Sequence, residues 1–326
     1  MPRLPYLPGV AVATAALTVL AAAPAPGGEP AVSRPRIVAH FDFAKGQTPE
    51  NIALEPDGSA DLTFASARQV AHVTKNGHTR IRATLPAEAN PNTPVVGDDI
   101  VLGIVRAHDG TLYVTYATGT SKTGVWRIDP DGSRPRQIAQ LPADGLPNAI
   151  GLDERWGVLY VADSVLGTVW RVPKEGGEPT AWATATELAP VPASAGGFGV
   201  GVNGLKVHHD AVWVSNTDRR SLLRIPVRPN GSPGPVQTKA TGLTGIDDFA
   251  FTGHGDTVLA SLIVSNEVAL VRPNGSRSIV LTQKDGLSNP TSVAVRHGTV
   301  YVPSAAYFTM KDPNLLLADL HQHHDR

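Results

Sequence analysis

Short runs of alternating apolar and polar residues recur along the chain as a repeated unit. Its clearest copy is Asn148-Ala-Ile-Gly-Leu152, a turn at 153–157, Val158-Leu-Tyr-Val-Ala-Asp163, then Gly167-Thr-Val-Trp-Arg-Val172 and Pro179-Thr-Ala-Trp-Ala183. Period-two alternation predicts strands rather than helices. Further copies start at Glu50, Val101, Asn203, Asp247 and Thr291. Successive starts lie 51, 47, 55, 44 and 44 residues apart, near the roughly 40–50 residues of a four-stranded propeller blade. Pro-Asp-Gly (56–58 and 130–132), His-Asp-Gly (108–110) and Pro-Asn-Gly (229–231 and 273–275) supply tight turns between the strands. Six copies imply six blades. The last copy offers strands at 291–295, 299–303 and 315–320, and lacks a fourth. The alternating stretch Arg36–Phe43 precedes the first repeat and is the expected partner. The reading is therefore an all-β, six-bladed β-propeller whose ring is closed by an N-terminal strand, leaving no open circumference.

Composition adds limits. A chain of 326 residues fits one propeller, and 28 basic against 29 acidic side chains give no electrostatic reason to expect nucleic acid. There is no cysteine, so core burial and not disulfides must hold the fold. Residues 1–25 read as a Sec-type signal peptide: Arg3 precedes the apolar run Val10–Ala23, and Ala21, Ala23 and Ala25 offer small cleavage positions. The run is shorter than the roughly 20 residues that span a bilayer. The expectation is a secreted protein, extracellular or in the cell envelope, off the membrane after cleavage, and a monomer. A flexible leader is expected at 26–35, the propeller at 36–320, and a disordered tail at 321–326.

In a propeller the first strand of each blade lines the central channel. The six start residues are then expected to face one another: Glu50, Val101, Asn148, Asn203, Asp247 and Thr291. Four are oxygen donors and two of those are carboxylates, a set that suits a hard divalent cation, Ca²⁺ ahead of Mg²⁺ or Mn²⁺. Polar residues also commonly begin strands, and for any one position that plain explanation suffices. The case rests on four such residues at one register.

This pattern resembles the SMP-30/gluconolactonase/luciferin-regenerating-like family of six-bladed propellers with an axial divalent metal. Pro-Glu-Asn-Ile around Glu50 resembles the family's Glu-Gly-Pro, Asn203-Gly-Leu its Asn-Gly-Leu, and Asp247 stands where the family has Pro-Asp-Gly. Asn148 fills the remaining slot. The resemblance implies that Glu50, Asn148, Asn203 and Asp247 hold the ion and that the protein hydrolyses a lactone or similar cyclic ester. Asp247 is then the catalytic base, with Asp248 beside it as a second candidate. Asp-Asp-Phe-Ala is also similar to propellers of the superfamily recruited as cyclases. The alternatives are accordingly a lyase or cyclase acting in the same cavity, or a ligand-binding propeller without catalysis.

Loops at the same face should form the substrate rim: Ser66-Ala-Arg68, 116–118, Asp163-Ser164, Asn216-Thr217, Ser261 and Ser304, with Arg68, Asp163 and Asn216 as the leading candidates. The Gly-rich segment Ala193–Val202 is a candidate lid, and Phe198 its apolar contact to a small-molecule substrate. Gly199–Gly204 fits G-x-G-x-x-G but leads into a strand, not a helix, which excludes a dinucleotide site. His208-His209 reads as a solvated turn, and Trp126 and Trp170 at equivalent positions as blade packing.

Overall fold

The computed structural model describes residues 31–132 and 134–321. The expected signal peptide, half of the leader and most of the tail lie outside the described residues. Within them are six four-stranded antiparallel sheets. Five are consecutive in sequence. Their innermost strands are Pro49–Leu54, Ile100–Arg106, Pro147–Asp153, Val202–His208 and Ile246–Phe251, each starting one residue before the expected position. The sixth sheet runs outward from Ala294–Arg296 through Thr299–Ser304 and Asn314–Leu320 to the N-terminal strand Val32–His40, which closes the ring as expected.

Two boundaries differ. The closing strand begins at Val32, within the expected leader, and ends before Asp42, whose side chain caps the short 3-10 helix Phe43–Lys45. Pro35 obscured this strand in the sequence. Proline is tolerated there because the strand is the outer edge of its blade, and a register shift between Ser33 and Arg36 absorbs it. The sixth innermost strand is also shorter than its counterparts. Pro290 and Pro303 deny it ladder hydrogen bonds, and only an isolated bridge between Pro290 and Ser304 marks its start. At the other end His321 belongs to the ring, since its N–H donates to Ala31 O at 2.9 Å.

The core lies between blades. Tyr160 and Val158 of the third blade pack with Leu205, Val212 and Leu223 of the fourth, and Trp213 packs with Phe249 and Leu262 across the next seam. Each such side chain contributes about 1.5–3 kcal/mol on burial. Trp126 is a packing residue as expected, edge-on to Tyr116 with centroids 5.8 Å apart. His208 is no solvated turn: its ring stacks on Phe251 at 3.6 Å, at the end of the channel away from Asn203. There His208, His209 and Asp256 bring their donor atoms within 4.8 Å of one another.

One irregularity decides what the channel presents. In each of the first five innermost strands the register slips near the start, so that two residues stand opposite one on the second strand. The doubled residues are Glu50-Asn51, Leu102-Gly103, Asn148-Ala149, Asn203-Gly204 and Asp247-Asp248. A hydroxyl on the second strand usually stitches the bulge and reaches the next blade. Thr63 Oγ1 accepts from Asn51 N at 3.0 Å and donates to Leu102 O at 2.5 Å. Thr115 links Gly103 N to Asn148 O, Ser215 links Gly204 N to Asp247 O, and Ser261 links Asp248 N to Thr291 O. Ala162 and Pro303 stand at this position in the third and sixth blades. There Ser164 donates to Val202 O (2.8 Å) and Thr291 to Pro49 O (2.8 Å) instead. Every seam of the ring thus carries a buried hydroxyl bridge at the layer of the candidate site.

Candidate active site on the axis

The first residue of each doubled pair faces one end of the channel. Glu50, Asn148, Asn203 and Asp247 line a single cavity of about 440 Å³ there, and all four are buried. The register corrects the second blade's contribution. Val101, expected in the ring, is packed in the core between the first two blades, and Leu102 lines the cavity. Thr291 is likewise a bridge rather than a wall residue, because its hydroxyl is committed to Pro49 O.

The two asparagines are held by the same means. Asn203 Nδ2 donates to Thr217 Oγ1 at 2.9 Å, and that hydroxyl donates to Ile246 O at 2.7 Å. Asn148 Nδ2 donates to Ser164 Oγ at 3.3 Å, which donates to Val202 O. Tying down each amide nitrogen leaves Oδ1 for the cavity, and Asn203 Oδ1 is buried with no hydrogen-bond partner. A buried acceptor left unmade costs about 1–3 kcal/mol.

The carboxylates are in a similar position. Burial pushes Glu50 up to about 7, assisted by the charge of Asp248 and opposed by a 2.6 Å hydrogen bond from Tyr307 Oη. Burial also raises Asp247 well above the usual carboxylate range, and the charges of Glu50 and Asp248 add to the rise. The Asn203 amide and the Lys206 ammonium work the other way. Tyr307 is half-buried beside Glu50, and desolvation together with the Glu50 charge raises its phenol well above its ordinary value, so it stays protonated and donates. The cavity floor therefore holds two acids whose charges lack a close cation.

Asp248 differs completely. Lys206 Nζ meets both its oxygens at 2.7 and 2.6 Å, and Asn51 Nδ2 and Ser292 Oγ donate to Oδ2 at 3.2 and 2.6 Å. Lys206 belongs to the opposite mouth of the channel. Asp248 is thus a neutralised plug one layer below the cavity, and Asp247 is the residue of the pair that lines it. Gly103 and Gly204 occupy this lower layer because neighbouring blades approach closely: a Cβ on Gly103 would lie 2.4 Å from Asn148 O, and one on Gly204 2.6 Å from Asp248 Cα.

Of the expected rim residues, Phe198 lines the cavity and three others do not. Arg68 has φ +56 and turns toward Asp99 (3.4 Å), while Ser66 takes the cavity position. Asp163 is a buried turn brace, accepting from Leu146 N (2.9 Å), Leu166 N (3.1 Å) and Trp170 Nε1 (3.2 Å). Asn216 donates to Glu187 O and Ala189 O and accepts from Arg219 N. In the last two cases the next residue serves the site: Thr217 lines the cavity and Ser164 holds the Asn148 amide. The segment expected as a lid is tied in place, since the Asp218 carboxylate accepts from Val191 N (2.9 Å), Phe198 N (2.8 Å) and Val200 N (3.0 Å). Sequence reasoning missed Tyr307 and the Val95-Val96 loop. The only hint of the former was an aromatic pair, Tyr307-Phe308, after Ser304-Ala-Ala.

Four convergent side chains, two acids and two amides offering oxygen, are the residues able to hold a divalent cation. The free Asn203 Oδ1 and the unneutralised acid pair are what such an ion would satisfy.

No protein-family model matches the chain, and no curated protein matches it in sequence. Solved structures match its fold. A gluconolactonase from Xanthomonas campestris superposes with TM-score 0.61 at 14% identity, covering 91% of this chain and 99% of that one. A virginiamycin B lyase from Staphylococcus aureus, an inactive variant with quinupristin, gives 0.58 at 17% identity over 85% and 82%. A nidogen/laminin complex gives 0.57 at 15% identity over 80% and 99%. Likeness at these identities establishes the class of protein, a six-bladed β-propeller, and leaves its chemistry to the site.

Proposed function

We propose that the protein hydrolyses a lactone or similar cyclic ester at the axial cavity, using one divalent cation held by Glu50, Asn148, Asn203 and Asp247. The observation that carries this reading is the cavity floor itself. Two buried acids without a close counter-ion stand beside a buried amide oxygen without a donor. The gluconolactonase among the similar structures supports the reaction class.

A bound cation would polarise the substrate carbonyl and lower the pKa of a water beside it. The chain's own groups supply the rest. Asp247 takes a proton from the attacking water as the new C–O bond forms. When the ring C–O bond breaks, the same carboxyl returns the proton to the departing alkoxide, and the products sum to substrate plus one water. Tyr307 keeps Glu50 oriented by donating to its Oε2. Thr217 and Ser164 fix the two amides, so no group must rearrange as charge develops. Apolar walls above the floor exclude bulk water.

Hydrolysis of a lactone panel by chelator-stripped protein, with and without added Ca²⁺, tests the proposal. Mass gain of one water, dependent on the cation and lost in Asp247→Asn with the fold intact, is the expected result. Full activity in excess chelator would sink it, and a product isomeric with its substrate would favour a lyase or cyclase.

A further inference from the structure

Above its polar floor the cavity wall is almost wholly aliphatic and aromatic. Ile100, Leu102, Leu146, Val200 and Ile263 form it; the polar residues beside them are Ser66, Thr217, whose hydroxyl donates to Ile246 O, and Tyr307, whose hydroxyl donates to Glu50. The mouth continues the same character: Val95, Val96, Phe198, Val264 and Phe308 line it. These are five of the ten large apolar side chains exposed among the described residues. Phe198, Phe308 and Val95 are 60%, 61% and 60% exposed. Concentrated exposure of this kind marks a binding site, whereas scattered apolar residues do not.

The wall is also held in place at a cost. Asp218 spends its carboxylate on three backbone N–H groups of the Phe198 loop. Val95 sits at φ +70, a conformation that a β-branched residue rarely adopts. Neither feature is needed to close the ring, and both hold apolar groups over the floor.

From these observations we infer that the substrate is an amphipathic lactone or ester with an alkyl chain. Its carbonyl sits at the Glu50–Asp247 floor and its chain runs up the wall to Phe198, Val95 and Phe308. A sugar lactone carries a hydroxyl on most of its carbons, and this wall offers those hydroxyls few partners, so burying them would leave hydrogen bonds unmade. The inference rests on the hydrolytic reading for the reaction and on the wall alone for the chain.

The test uses δ-lactones with side chains from methyl to heptyl, glucono-δ-lactone, and the matching δ-lactams, which bind without being opened. Lactam affinity is read by calorimetry and lactone kcat/KM by product formation. In the wild-type protein both should rise about threefold to fourfold per added methylene until the chain reaches the mouth. Phe198→Ser and Val95→Gly should flatten that slope. The second variant removes the apolar group while relieving the strained φ, so it guards against loss of fold, and unfolding temperature is followed for both. If no lactone opens but lactam affinity climbs with chain length, the hydrolytic reading fails and the alkyl-chain part of this inference stands. If glucono-δ-lactone is preferred, or the wild-type slope is flat, the inference is overturned while hydrolysis stands. Binding of the protein to phosphatidylcholine vesicles, lost in both variants together with a flat lactam slope, would also overturn it by making the mouth a membrane contact.

Discussion

Asp247 and Asp248 are chemically identical neighbours, and the bulge between them gives one the cavity and the other Lys206. The consequence should be opposite effects on stability. Asp248→Asn strips Lys206 of its partner, and breaking a buried pair costs roughly 3–5 kcal/mol. The lower end is expected because Lys206 is 29% exposed, and denaturant unfolding measures it. Asp247→Asn removes a buried acid without a close counter-ion, and should raise the unfolding temperature of the metal-free protein. The pH dependence has a definite sign. Glu50 and Asp247 have folded-state pKa values raised by burial, so the folded state holds more protons than the unfolded one between the ordinary carboxylate range and about 7. Metal-free stability should fall as pH rises through that window. If Ca²⁺ binds the deprotonated acids as proposed, saturating Ca²⁺ should cancel the fall, and thermal melts across pH with and without Ca²⁺ check both halves.

At the scale of elements, the hydroxyl bridges are what align separate blades to one register. Ser215 accepts from Gly204 N and donates to Asp247 O, so Ser215→Ala leaves a buried N–H and a buried carbonyl unmet. A loss of about 1–3 kcal/mol is expected, with weaker Ca²⁺ binding, since Asp247 loses its backbone anchor. Titrating Ca²⁺ into the variant separates this from a purely structural defect. The bulges also explain what the sequence did and did not disclose. Asn203-Gly-Leu and Asp247 were visible because their blades begin with distinctive residues. In the second blade strict alternation pointed to Val101, whereas the bulge puts Leu102 on the axis. Matching Gly103 to Gly204, two glycines forced by the same close approach, would have found it. Within the expected rim pairs Asp163-Ser164 and Asn216-Thr217 the strand's last residue turns into the blade, and it is the second member that holds an amide of the site. Tyr307 lies in a loop with no repeat counterpart, so no periodicity could reveal it.

For the whole molecule, closure depends on a strand that the sequence placed almost correctly. Val32–His40 pairs with Asn314–Leu320 and covers the outer edge of the sixth blade. Deleting 32–40 should expose that edge and the apolar cluster around Leu316 and Val300. Aggregation or loss of the cooperative melt is the expected outcome, read by light scattering and calorimetry. The ring was legible because blade spacing and alternation repeat six times. Its apolar cavity was not, because the walls combine Ile100 and Leu102 of the second blade's innermost strand with loop residues that have no common repeat position, among them Val95, Phe198, Ile263 and Phe308.

The measurement that bears most directly on the axial site is calorimetric titration of Ca²⁺ into chelator-stripped protein, beside Asp247→Asn and Asn203→Ala. Saturable binding of one ion per chain, abolished in the first variant and weakened in the second, is the predicted result. No heat in the wild-type protein with Ca²⁺, Mg²⁺ or Mn²⁺, or equal binding in all three proteins, would contradict it.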